Sequence, residues 1–173
     1  MILAEFNAPW SRSLRLVSGA STIVLLSVAL LGVLVVPGRP SFARPLMVAL
    51  PLFILLTSLP FMVRGYSITE AAIQVQRLLW STSLPLEGLV AVTGEPEGLR
   101  GAVRVFGNGG LFGISGWFWS RRLGRFRVYA TDPGRVVLLR YRDGRKVVLT
   151  PGDVQHFVVR LRTLAKIRSE GNS

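Results

Sequence analysis

Cysteine is missing from this 173-residue chain, and histidine occurs once, at His156. The first absence excludes disulfides, thiolate nucleophiles, iron–sulfur clusters and cysteine-ligated zinc. The second leaves any histidine triad or histidine-rich metal centre dependent on a single residue. Acidic residues are also scarce: 9 Asp+Glu stand against 21 Lys+Arg, a formal net charge of +12. Charged residues make up only 17% of a chain that is 50% hydrophobic. That is too apolar for a disordered basic tail and too poor in charge for an ordinary soluble domain, so the composition points to a membrane.

Asp, Glu, Lys and Arg are all absent from residues 16–36, LVSGASTIVLLSVALLGVLVV, and from residues 46–63, LMVALPLFILLTSLPFMV. As helices these runs reach about 31 Å and about 27 Å, against a hydrocarbon core of roughly 30 Å. Pro51 and Pro60 lie in the second run and are expected to kink it, which membrane helices tolerate where neighbours satisfy the freed carbonyls. With the break at residues 37–45, the pattern predicts a transmembrane helical hairpin whose first partner is the lipid bilayer. A cleaved leader competes for the first run, with Arg12 and Arg15 as its basic flank and Ser41-Phe42-Ala43 as its cleavage site. Against it, the run exceeds the usual leader core of about 7–15 residues. A soluble two-helix core is the other alternative, and it would leave helices with no polar face for water.

Arg12, Arg15, Arg64 and Arg77 flank the outer ends of the two runs, and Arg39 and Arg44 lie between them. This bias predicts a multi-pass protein of the cell membrane with both termini inside, placing the basic C-terminal region against anionic lipid. The chain then divides into a short cytoplasmic N-terminus (1–15), the hairpin (16–63), a cytoplasmic domain (64–168) and a tail (169–173).

Beyond Arg64, short apolar runs alternate with Gly, Pro and Asp at the spacing of a β-sandwich or barrel. Residues 66–69 and 72–78 read as a hairpin, with Ile73 and Val75 alternating against Gln74 and Gln76. Residues 86–93 read as one strand and 103–106 as another. In residues 125–131, Phe126, Val128 and Ala130 share one face while Arg125, Arg127 and Tyr129 share the other. Residues 135–142 and 146–150 bracket the turn signal Asp143-Gly144. The period then changes: Thr150 is the expected cap of a helix with Pro151 at its first position and Asp153 three residues on. Val154, Phe157, Val158, Leu161, Leu164 and Ala165 form its apolar stripe, and His156 falls off that stripe. The expectation is six or seven antiparallel strands closed by one amphipathic helix, a mainly β, α+β fold.

That layout is the pleckstrin-homology (PH) superfold, and residues 65–165 resemble the bacterial PH-like domain family, in which such a domain often follows two membrane spans. The resemblance rests on Gly65-Tyr66-Ser67-Ile68 and on the glycine block 107–113 with Gly116-Trp117-Phe118. It continues through Tyr129-Ala130-Thr131-Asp132 and Thr150-Pro151-Gly152-Asp153, with Phe157 in the helix. It implies a PH-like β-barrel or sandwich with a C-terminal capping helix, and it implies no defined ligand.

Two segments are candidate sites. Gly107, Gly109, Gly110 and Gly113 form a loop of the kind that cradles phosphate. No Gly-Lys-Ser/Thr follows, however, and Phe112 stands where a dinucleotide fingerprint would need its last glycine, so a structural strand connection is the expectation. The second is an aromatic and basic segment, with Trp117, Trp119, Arg121, Arg122, Arg125 and Arg127 as candidate lipid- or partner-binding residues. If Trp117 and Trp119 share a strand face while Phe118 points inward, indoles and guanidiniums meet at headgroup level. The alternative is that the aromatics fill a core and the arginines solvate a hairpin tip.

The carboxylates fall at turns and caps without acid–base pairing, so neither enzymatic activity nor a cofactor is expected. Neither a base-stacking platform nor a zinc module accompanies the basic residues, so nucleic acid is not an expected partner. The reading is a membrane-anchored module that binds or scaffolds, through protein–protein contact or self-assembly, with recognition of anionic lipid as the alternative.

Overall fold

The structure is a computed structural model that describes residues 2–34 and 42–170. Two long helices come first. Ser11 caps α1 (Arg12–Leu34), its hydroxyl accepting from Leu14 N at 3.1 Å. The second helix, α2 (Ala43–Ser58), contains Pro51 and passes into a 3-10 turn at Leu59–Phe61, where Pro60 stops the α-helical ladder. The final residues of the second apolar run, Met62 and Val63, are extended and lead into a strand. The helices pack where side chains are small: a Cβ on Gly32 would lie 3.0 Å from Met47 Cβ. In the apolar window of α1 only 17% of residues are buried, and in that of α2 only 6%. Both stretches, the second taken from Arg44 to Phe61, are long and apolar enough to cross a membrane. The expected loop at residues 37–41 and the last two residues of the first run lie outside the described residues; Arg44 and Pro45 belong to α2.

Ten strands form two sheets among the described residues. The first sheet has the order β1-β2-β3-β4, built from β1 (Ile2–Asn7), β2 (Val63–Thr69), β3 (Ala72–Arg77) and β4 (Ser81–Pro85). The second has the order β5-β9-β10-β8-β7-β6. Its strands are β5 (Leu89–Gly94), β6 (Val103–Gly109), β7 (Ile114–Ser120), β8 (Gly124–Ala130), β9 (Val137–Tyr141) and β10 (Lys146–Leu149). Helix α3 (Val154–Glu170) closes the fold, with Phe157, Val158 and Leu161 buried as the stripe predicts.

Several expectations need correction. The first residues are not merely a lead-in to a helix: β1 pairs antiparallel with β2, and Phe6 is buried edge-on against Phe157, ring centroids 4.9 Å apart. Chain from before α1 and from after α2 therefore lies side by side in one sheet. Residues 86–93 are not a single strand, because Gly88 takes a φ of +73° and turns the chain after the unforeseen β4. The sheets are not wholly antiparallel either. The Asp143-Gly144 turn folds β10 back along β9, and its free side then pairs parallel with β8. Asp153, not Thr150, caps α3, its Oδ1 accepting from His156 N at 2.9 Å. The Thr150 hydroxyl is fully buried and accepts from Thr131 N at 2.8 Å.

The core has two parts because the second sheet is covered on both faces. Tyr129, Val137, Leu139, Val147 and Leu149 meet the first sheet and α3 in the larger cluster. Phe118, Phe126, Val128, Leu138 and Val148 form the smaller cluster on the opposite face, with Leu99 and Ala102 packed against it. Strand alternation alone sends neighbours such as Val128 and Tyr129 to different cores.

Candidate functional site

The wing of the second sheet made of β6, β7 and β8 carries the aromatic and basic segment. Register sets Trp117 opposite Arg127 and Trp119 opposite Arg125. All four side chains therefore share a face, while Phe118 and Phe126 turn into the smaller core with ring centroids 6.3 Å apart. The Arg125 guanidinium stacks on the Trp117 ring at 4.7 Å, and Arg127 lies 5.6 Å from that ring and 5.4 Å from Tyr129. Arg77, at the end of β3, continues the series: its guanidinium is 4.9 Å from the Tyr129 ring and 5.7 Å from both Phe61 and Trp80. Arginines and aromatic rings thus alternate in a ladder running from the end of the helical hairpin along the sheet, each step a cation–π contact.

Arg121 and Arg122 do not join this ladder. They occupy the β7–β8 turn, about 20 Å along the strands from the helix ends at roughly 3.3 Å per residue, and Arg122 pairs with Glu95 at 2.8 Å. Sequence reasoning missed Arg77, Phe61 and Trp80, which arrive from a different sheet and from the hairpin. Tyr129 was legible, because alternation sets it on the face of Arg125 and Arg127.

At the hairpin end the ladder lines a cavity of about 550 Å³, walled by Thr57 and Ser58 of α2, Arg77, Trp117, Arg127 and Tyr129, among others. The ion pairs among the described residues engage Arg100, Arg122, Arg135, Arg140 and Arg145, and none involves Arg77 or Arg127. Burial lowers the Arg77 pKa from its ordinary value; Tyr129 partly opposes the shift and the positive charge of Arg127 adds to it. The Tyr129 hydroxyl is near enough to favour the charged guanidinium. Even so, neither that hydroxyl nor Arg77 Nε has a partner in hydrogen-bond geometry, and both atoms are buried. No cluster of three or more His, Asp or Glu able to hold a metal ion occurs among the described residues.

A sequence model of one family, described as bacterial PH domain, matches residues 64–165. The chain belongs to the bacterial PH domain family. No curated protein and no solved structure matches it. Membership makes the PH domain a binding or scaffolding module in the general sense. The matched segment begins at β2, so the strand that precedes the hairpin, β1, is added to the PH domain from outside it.

The glycine-rich loop of this PH domain is structural. Gly107 and Gly116 stand back to back across β6 and β7: a Cβ on Gly116 would lie 2.2 Å from Phe106 O, at a φ of +139°. The loop tip docks on α1, where the buried Ser18 hydroxyl donates to Gly110 O at 3.1 Å and accepts from Phe112 N at 3.0 Å. Those loop groups are engaged with protein rather than open to a phosphate.

The edges of the PH domain differ in how they are covered. On β5, Val92 O accepts from Arg162 Nε at 3.0 Å and Nη2 at 2.8 Å, and α3 packs against the strand. On β1, Asn7 O accepts from Gly152 N at 2.8 Å. Edge strand β6 is exposed along nearly its whole length, with Val103, Val105 and Phe106 at 62%, 56% and 76% exposure.

Proposed function

We propose that this protein is a membrane-anchored PH module whose hairpin crosses the cell membrane and whose domain self-assembles at the cytoplasmic surface through β6. The observation that carries the reading is the bare β6 edge. Long apolar edges are a liability that proteins cover or charge unless the edge is used. Here β5 is covered and β6 presents three large apolar side chains instead. An antiparallel pairing of two β6 strands centred on Phe106 sets Arg104 opposite Asn108 of the second copy, so like charges do not face each other. Anchoring confines copies to one surface, which raises their effective concentration enough for a modest contact to operate.

The hairpin part of the proposal draws on the low burial of α1 and α2 and on the β1–β2 pairing, which requires an even number of crossings. It also disfavours leader cleavage at residues 41–43, since that would remove β1 and the buried Phe6 from the fold.

The natural absence of cysteine makes single-cysteine variants clean probes. Ser41→Cys is expected to react with an impermeant maleimide on intact cells, and Val105→Cys only after lysis. Val105→Cys is further expected to form disulfide-linked dimers in native membranes under mild oxidation, suppressed by adding Phe106→Lys. Labelling of position 41 only after lysis would overturn the orientation, and an exclusively monomeric Val105→Cys would overturn self-assembly.

A further inference from the structure

We propose that the cavity between the end of α2 and the Arg77–Tyr129–Arg127–Trp117 ladder binds the phosphate group of an anionic lipid in the host leaflet. This goes beyond self-assembly: the cavity shares Phe106 with the β6 edge, but its donors lie on β3 and β8, and it rests on the hairpin reading only for the source of the phosphate.

Three independent observations converge. First, the Arg77 and Arg127 guanidiniums both lie against Tyr129, at 4.9 and 5.4 Å from its ring, and neither takes part in the ion pairs among the described residues. Two guanidiniums held beside one cavity without a carboxylate repel each other until an anion stands between them. Second, Arg77 Nε and Tyr129 Oη are buried donors that make no hydrogen bond of good geometry, although the two side chains lie close enough for the hydroxyl to favour the Arg77 charge. Buried polar atoms are nearly always satisfied, and an absent ion or ligand is a recognised reason for exceptions. A phosphate oxygen would accept from both. Arginine suits this role because its planar fork matches phosphate geometry and is held in place by stacking on rings.

Third, the cavity lies where a headgroup would be. Its wall includes Thr57, Ser58 and Phe61, the residues at which the second helix ends. Thr57 donates to Phe53 O at 2.7 Å and Ser58 to Ile54 O at 2.6 Å, so these hydroxyls supply a polar rim while the arginines supply the donors. Beside them, Leu79 is 71% and Trp80 43% exposed, apolar and aromatic side chains of the kind that settle at a bilayer interface. Trp80 meets Phe61 edge-on with ring centroids 5.4 Å apart, so the β3–β4 turn and the helix end form one collar at one depth.

The test is native mass spectrometry of the full chain released from micelles containing phosphatidylcholine and phosphatidylglycerol. The wild-type chain is expected to retain one phosphatidylglycerol in preference to phosphatidylcholine. Arg77→Gln/Arg127→Gln should lower that retention about tenfold or more. Arg121→Gln/Arg142→Gln removes the same charge at exposed sites outside the cavity and should leave retention unchanged. Equal loss in both double variants, or no loss in the first, would overturn the site. If Arg77→Gln fails to fold by near-UV circular dichroism, Arg127→Gln alone, at an exposed side chain, carries the same expectation at several-fold. Millimolar inorganic phosphate separates the sources. Retained phosphatidylglycerol identifies the lipid, whereas its displacement by phosphate would overturn the lipid assignment. A chain that stays in solution without detergent would refute the hairpin, a separate outcome from loss of anion binding.

Discussion

Replacing Tyr66 with Phe removes one oxygen from the centre of the fold. Tyr66 is completely buried; its hydroxyl donates to Tyr129 O at 2.7 Å and accepts from Thr150 N at 3.2 Å, tying β2 to β8 and to the entry of α3. Tyr66→Phe keeps the ring, whose centroid is 6.1 Å from that of Phe157, and leaves the Thr150 N–H without its partner. A net hydrogen bond is worth about 1 kcal/mol and an orphaned buried group about 1–3 kcal/mol, so the expected loss is roughly 2–3 kcal/mol. At roughly 4–8 °C per kcal/mol for a domain of this size, the midpoint should fall by about 10 °C or more.

The same hydroxyl gives a pH signature. Burial pushes the Tyr66 pKa up from 10.0 to about 12. Between these values the unfolded chain has lost the proton that the native state keeps, so native stability falls as pH rises. At about pH 11 the loss is about 1.4 kcal/mol for this tyrosine. Tyr141, also raised to about 12 by burial, behaves alike in wild type and variant. The stability gap between wild type and Tyr66→Phe should therefore narrow by about 1.4 kcal/mol between about pH 9 and about pH 11. Denaturant titration of the full chain in detergent, followed by near-UV circular dichroism, measures both effects. A gap under about 0.5 kcal/mol near neutral pH, or one that does not change with pH, would refute this account of the buried cluster.

Phe6→Ala should cost about 3 kcal/mol, since the ring is buried against Phe157, and should strip exchange protection from β1 and β2 first. Unchanged protection there would show that the N-terminal strand is not integral to the domain. Gly116→Ala forces a methyl against Phe106 O and Gly107 Cα, so amides across β6 and β7 should exchange faster while those of β9 and β10 hold. Uniform protection in that variant would refute the close approach of the two strands.

Periodicity made much of the fold legible. The β2–β3 hairpin, the faces of β8, the Asp143-Gly144 turn and the stripe of α3 all follow from local alternation of apolar and polar residues. What escaped was non-local. β1 is six residues long and has no meaning until β2, more than fifty residues later, arrives beside it. Thr150 and Asp153 are both good caps, and the choice fell to Asp153 because Tyr66 of β2 and Thr131, just after β8, engage the Thr150 hydroxyl. The candidate site divided in the same way. Trp117, Arg125 and Arg127 share a face by alternation, whereas Arg121 and Arg122, close to them in sequence, lie in the far turn.

By itself the sequence determined the charge-free lengths suited to lipid, the excess of arginine over carboxylate, and the strand and helix periods, because these depend only on neighbouring residues and composition. Tertiary structure alone decided that Arg77 joins Arg127 around Tyr129, that Ser18 of the first helix pins the glycine loop, and that β6 is left bare. Each of these depends on which strand edges pair across long stretches of chain. That choice is made by the burial of both faces of the second sheet at once, which no local window of residues contains.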